Sequence, residues 1–128
     1  MKRFIDKTLK PFLIIGGLGT AAAGLYAFWP QFSVENIAEL TFLQDYTIFV
    51  QHWGIMVGLM GAMMVAAAFR PSWVLPILLY SALEKAFMVY LALSNMGQAY
   101  VAGFLVPATM DSVILLYSLA YFWSLRKV

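Results

Sequence analysis

The chain has 128 residues, 63% of them hydrophobic and 11% charged, with a formal net charge of +2 and a mean hydropathy of +0.83. Soluble domains run at roughly 45–50% apolar and about 25% charged residues, so this composition excludes a water-soluble fold, and it leaves no extended basic face for nucleic acid. With no cysteine in the chain, disulfides, thiolate metal sites and dithiol redox chemistry are excluded too.

Four apolar segments nearly fill residues 1–128, which predicts a single all-α membrane domain. Each segment reaches the ~20 residues that a helix needs to cross ~30 Å of hydrocarbon. The first runs from Pro11 to Trp29. Lys2, Arg3, Lys7 and Lys10 before it, with Ala21-Ala22-Ala23 inside it, imitate a signal peptide; we read the segment as a retained membrane helix. At about 100° per residue, Gly16, Thr20, Ala23, Gly24 and Ala27 gather on one side of it.

The first connection carries Glu35, Glu39 and Asp45 and no basic residue. Ser33 as N-cap, followed by the stripe Val34, Ile37, Ala38, Leu40 and Thr41, predicts a short amphipathic helix lying on the outer surface. Its acidic residues serve either as a solvated face or as a docking face for a partner.

The second span, Tyr46 to Phe69, places Gly54, Gly58, Gly61 and Val65 on one side and His52, Met56, Leu59 and Met63 on the other. Small residues let helix backbones approach closely in lipid. The first two helices are therefore expected to pack glycine face to glycine face, dimerisation being the other use of such a stripe. His52 opens the helix near the outer surface, level with Leu91 and some ~10 Å above Glu84 at 1.5 Å rise per residue.

The third span, Trp73 to Leu93, holds Glu84 and Lys85 in its middle. Ionisable groups at that depth cost several kcal/mol unless paired. On the helical wheel Ser81, Met88, Ala92 and Asn95 share their sector, while Leu78, Leu79, Leu83, Ala86, Val89, Tyr90 and Leu93 form the far side. Such segregation is what an interior-facing polar site demands. The fourth span, Gly103 to Trp123, puts Asp111, Ser112 and Ser118 in one sector. Folding the last two helices as a hairpin about Ala99 brings Lys85 within ~3 Å of Asp111 in depth and Glu84 within ~5 Å. We therefore expect Lys85 to pair with Asp111. Glu84 and Lys85, diverging by about 100°, are poor partners, which leaves Glu84 to find a hydroxyl, another charge or a proton.

Each of these residues has a structural use as well as a functional one. Lys85 and Asp111 can simply hold two helices together, or can form a site for an anionic or polar headgroup or a proton relay. Glu84 without a partner would be neutral or would need a ligand. His52 is an interfacial histidine bonded to backbone or water, or else a proton donor, ligand contact or pH sensor. The methionines Met56, Met60, Met63, Met64, Met88 and Met110 read as packing filler rather than metal ligands. A lone histidine cannot give bis-histidine haem ligation within one subunit, and neither a phosphate-binding glycine loop nor an HExxH zinc motif is present.

Basic residues set the orientation. Lys2, Arg3, Lys7, Lys10, Arg70, Arg126 and Lys127 flank the ends that share one side, while the first and third connections carry none. By the positive-inside rule both termini are cytoplasmic, and Trp29, Tyr46, Trp53, Trp73, Tyr100 and Trp123 fit aromatic belts at the two interfaces.

The basic amino terminus, the Gly/Ala-rich first helix, the long outer connection, His52-Trp53-Gly54, the turn Arg70-Pro71 and Asp111 in the fourth helix together resemble the DoxX-like group of small bacterial four-helix membrane proteins. That resemblance covers nearly the whole chain. It implies a bacterial inner-membrane location and a role akin to that of a membrane subunit of a thiosulfate:quinone oxidoreductase, a membrane chaperone or an accessory subunit. The reading these features favour is an antiparallel four-helix bundle, non-enzymatic, with a polar cavity in its outer half. Glu84, Lys85 and Asp111 would form the polar centre, His52 and Asn95 the mouth, and Ser81 and Ser118 further polar lining. The cavity would bind a lipid, a quinone, an isoprenoid or a partner helix. No metal or resident cofactor is expected, with quinone left open as a ligand. An accessory subunit of a larger complex or a homo-oligomer is the first alternative, and a quinone-linked redox subunit is the second.

Overall fold

A computed structural model describes residues 1–126; Lys127, counted above among the basic residues of the carboxyl end, lies outside the described residues. The described chain is helical, without strands. Its long helices are α1 (Lys2–Ala21), α4 (Thr47–Ala67), α5 (Pro71–Ser94) and α6 (Leu105–Leu125). Two short ones, α2 (Leu25–Phe28) and α3 (Pro30–Asn36), follow α1, from which α2 is separated by a tighter turn at Ala22–Gly24. Taken with their flanking turns, four helices are long and apolar enough to cross a membrane, which makes the chain a multi-pass membrane protein. Only 22–28% of each apolar stretch is buried within the protein, so most of the hydrophobic surface is left for lipid.

The last three helices lie within two residues of the expected spans, but α1 begins well before Pro11. Ile5, Leu9, Phe12 and Leu13 recur at helical spacing, so the basic leader has an apolar stripe of its own. Ile5 and Leu13 are fully buried. Thr8 shares a 2.6 Å hydrogen bond with the Tyr117 hydroxyl, and Phe12 stacks on the Tyr117 ring at 3.8 Å. These contacts fasten the leader to α6.

The short helix of the first connection is also shifted. Pro30, whose fixed φ suits the first helical position, starts α3, with Trp29 in the cap position. Ser33 is thus an interior residue and not the N-cap. Glu39 adopts φ 58°, a left-handed conformation that ends helices, and the Leu40 N–H turns back to the Val34 carbonyl at 2.9 Å. Of the stripe expected to form this helix only Val34 lies within α3; Ile37, Ala38, Leu40 and Thr41 lie beyond its end at Asn36. Ala38 is buried beneath the turn Ala99–Phe104; a side chain at Gly103 would overlap the Ala38 carbonyl.

The α1–α2 segment and α4 make the closest helix contact, along the glycines of α4. A methyl group at Gly54 would sit 2.7 Å from the Ala27 nitrogen, and one at Gly58 would sit 3.0 Å from the Gly24 Cα. At Gly61 it would overlap the backbone of Gly17 and Ala21. Position 54 thus meets 26–27, position 58 meets 24, and position 61 meets 17 and 21. On α1 the residue that needs to be small is Gly17, whose added methyl would lie 2.7 Å from the Gly61 carbonyl. Gly16, expected in this seam, instead faces Ile114 and Met64, and Gly24 has open space beside its own Cα. A one-residue change rotates the helix by about 100°, enough to move Gly16 from the seam to the bundle interior.

Toward the end of the bundle that carries Lys10, Arg70 and Arg126, the interior is apolar. Leu13, Met64, Ala67, Val74, Leu78 and Ile114 close it as one cluster; Leu78, expected on the far side of its helix, is fully buried because it lies one turn from Ser81 and two from Lys85 on the face that turns inward. Toward the loop end the buried apolar residues are fewer and split between Tyr26, Val34 and Ala38 on one side and Ala92, Val101 and Ala108 on the other. The polar groups lie between these layers.

Candidate intramembrane ligand site

Lys85 on α5 is 1% exposed, and its Nζ donates to Asp111 Oδ1 on α6 at 2.8 Å. The pairing predicted from helical angle and depth is therefore present. Glu84 is closer to Lys85 than its divergence on the wheel suggested, because both side chains are long enough to bend toward each other. Its Oε2 lies 3.9 Å from Nζ, near enough for attraction and too far for a hydrogen bond. That oxygen is buried with no hydrogen-bond partner, as is the Thr20 hydroxyl. An unmet buried polar group costs about 1–3 kcal/mol, so two at one place call for an occupant.

Both residues border the same space. A cavity of about 260 Å³ is bounded by Thr20 on α1, Glu84 and Lys85 on α5 and Asp111 on α6. Its apolar wall includes Tyr26, Trp53, Phe104, Met88 and Met110. Tyr26 and Trp53 meet edge to face at 4.9 Å, which fixes both rings as one side of the chamber. Ile37, from the first connection, also reaches it. A polar floor under an aromatic and thioether wall matches the general composition of small-molecule sites. A larger hollow of about 430 Å³ toward the loop end shares Tyr26, Trp53, Met88 and Phe104.

The remaining candidates fall elsewhere. His52 is exposed and lines none of these spaces; its neighbour Trp53, 39% exposed, is the one that borders them. Asn95 ends α5, donating to the Leu91 carbonyl at 2.8 Å and accepting from the Tyr100 hydroxyl at 2.7 Å. It borders a separate hollow of about 190 Å³ that touches the main cavity only through Met88 and Phe104. Ser81 is buried and donates to the Met64 sulfur at 3.6 Å, and Ser118 is buried and donates to the Ile114 carbonyl at 2.8 Å. Both belong to the packing below the ion pair. Thr20 and Trp53 are lining residues whose sequence positions suggested packing and the interface, and Tyr26 is one that no sequence signal singled out. Among the described residues no three of His, Asp and Glu converge as a metal donor set.

No protein-family model, no curated protein and no solved structure matches the chain. Its class is therefore stated by its own features: an all-helical, multi-pass membrane protein with a charged, partly unsatisfied cavity between its helices.

Proposed function

We propose that this is a small, non-enzymatic membrane protein whose intramembrane cavity binds an amphipathic ligand. The observation that carries the reading is the convergence of the Lys85–Asp111 pair with two unpartnered polar atoms, Glu84 Oε2 and Thr20 Oγ1, under an aromatic wall. An ion pair serving only to join α5 and α6 would not need those additional atoms or a chamber beside it. We further propose an antiparallel bundle of the DoxX-like type in a bacterial inner membrane, with both termini cytoplasmic. Support for that orientation comes from Lys10 over Phe69, Arg70 over Trp73 and Arg126 over Trp123, at 4.6, 5.2 and 5.8 Å, a set of cation–aromatic pairs suited to an anionic leaflet.

The alternatives are weakened by particular placements. A partner-docking role through the Gly54, Gly58 and Gly61 face competes with the packing of that face against α1 and α2. A quinone-linked proton relay would depend on Glu84 alone, since His52 lies outside the cavity. The test is native mass spectrometry of the full chain taken from its membrane in nanodiscs, followed by lipid extraction. A discrete small-molecule adduct is expected. A clean protein mass, or copies of the chain and other polypeptides only, contradicts the proposal.

A further inference from the structure

We infer that the ligand is an uncharged amphipath with a hydroxyl-bearing head, seated against Glu84 and Thr20 with its tail leaving the bundle between α4 and α5. The inference rests on the reading above that the cavity is a ligand site, and adds the head chemistry and the path of the tail.

The head follows from the charges and the two unmet atoms. The floor holds one ammonium and two carboxylates, so an anionic head meets net repulsion at short range. Protonating Glu84 does not create an anion site, because Lys85 remains bound to Asp111 at 2.8 Å. What stays unmet is Glu84 Oε2 and the hydroxyl of Thr20, a residue that is 2% exposed. A hydroxyl both donates and accepts, so it can satisfy Glu84 as carboxylate or as acid and still accept from Thr20. A quinone carbonyl can only accept and answers one of those states.

The tail path follows from a second space. A groove of about 280 Å³ on the lipid side of α4 and α5 shares Trp53, Val57, Glu84 and Met88 with the main cavity. Beyond those shared residues it continues along Met56, Met60, Tyr80, Phe87 and Leu91, an apolar track at mid-helix depth. Neither space alone reaches the ~300–1,000 Å³ usual for small-molecule sites, and joined they do. Glu84 stands at the junction, so a head bonded there has its tail already in the groove. The loop-end hollow is bordered by Leu40, Thr41, Phe42 and Tyr46 of the first connection, and would lead a tail toward the membrane surface.

The experiment compares three probes added to the full chain in phosphatidylcholine nanodiscs and read by native mass spectrometry: dioleoylglycerol, dioleoyl phosphatidic acid with the same tails and a charged phosphate, and farnesol as an isoprenoid alcohol. We expect dioleoylglycerol or farnesol to exceed phosphatidic acid by about tenfold or more, the effect of one close like-charge contact. The better of the two alcohols identifies the source as glyceride or isoprenoid. In Glu84→Gln, which keeps an acceptor and removes the formal charge, that ratio should fall toward one. Val57→Trp, which fills the shared gap, should abolish the dioleoylglycerol adduct. Phosphatidic acid binding as well as the alcohols overturns the head assignment, and an undiminished adduct in a folded Val57→Trp overturns the tail path. If a variant does not fold, the wild-type ratio still decides the head, and cross-linking of a tail-diazirine diacylglycerol to Met56 or Phe87, or its absence, decides the path. No adduct with any of the three probes would instead overturn the ligand-site reading itself.

Discussion

The two halves of the bundle interior answer the same problem differently. Near the basic end, Leu13, Met64, Leu78 and Ile114 fill the space between helices, and the serines there, Ser81 and Ser118, satisfy themselves on Met64 and on the preceding turn of α6. Nearer the loops, a buried lysine, two carboxylates and a threonine border empty volume, with two polar atoms unmet. The first half is built for packing. The second gives up packing and desolvates charges, which is an expensive arrangement if nothing binds there. The contrast teaches that intramembrane polarity alone does not mark a site; unmet polarity beside space does.

The comparison can be broken first at the helix seam on which both halves depend. Gly61→Leu forces a side chain into the backbone of Gly17 and Ala21, and we expect no monodisperse protein on size-exclusion chromatography, the largest effect in the chain. Gly24→Ala, on the other side of the same seam, has open space beside it and should leave thermal unfolding unchanged within ~0.5 kcal/mol. Next comes Asp111→Asn, which removes the hydrogen-bonded counter-charge of a buried ammonium and leaves it only Glu84 at 3.9 Å. A loss of about 3–5 kcal/mol is expected, measured by unfolding in mixed micelles. Glu84→Gln should sharpen the distinction between holding the fold and holding a ligand. Having no hydrogen bond to lose and only a 3.9 Å contact with Lys85, it should cost less than ~1 kcal/mol in stability, while changing which lipids are retained. His52→Ala should be as small as Gly24→Ala, within ~0.5 kcal/mol, and without effect on retained lipid, because the ring lies outside the cavity.

The Lys85–Asp111 pair was legible in the sequence because helical angle and depth along the membrane normal are both simple functions of residue number. The use of Gly54, Gly58 and Gly61 was legible for a related reason, since a backbone contact requires a run of absent side chains on one face. Rotation of α1 was not legible. That helix is apolar almost all round within the membrane, so periodicity does not say which neighbour each face meets. As a result Gly17 replaces Gly16 in the seam, and Thr20 proves to be a cavity wall. His52 drew attention by its chemistry, yet Trp53 beside it faces the site; a polar residue at the loop end of a span can be satisfied outside the bundle as readily as within it. The turn that follows α3 was hidden because the left-handed Glu39 is a conformation that nothing in the residue's own preferences announces.

The central claim is that the charged floor exists for a ligand and not for the fold. It is tested most directly by the double replacement Glu84→Leu/Thr20→Val, compared with wild type for thermal unfolding and for retained small molecule by native mass spectrometry. The two polar atoms removed have no hydrogen-bond partner in the protein, and replacing unmet buried polar groups with apolar ones of similar size is neutral or stabilising. The account predicts a variant at least as stable as wild type that no longer retains an adduct. A variant that unfolds on extraction, or a stable one that keeps the same adduct, would contradict it.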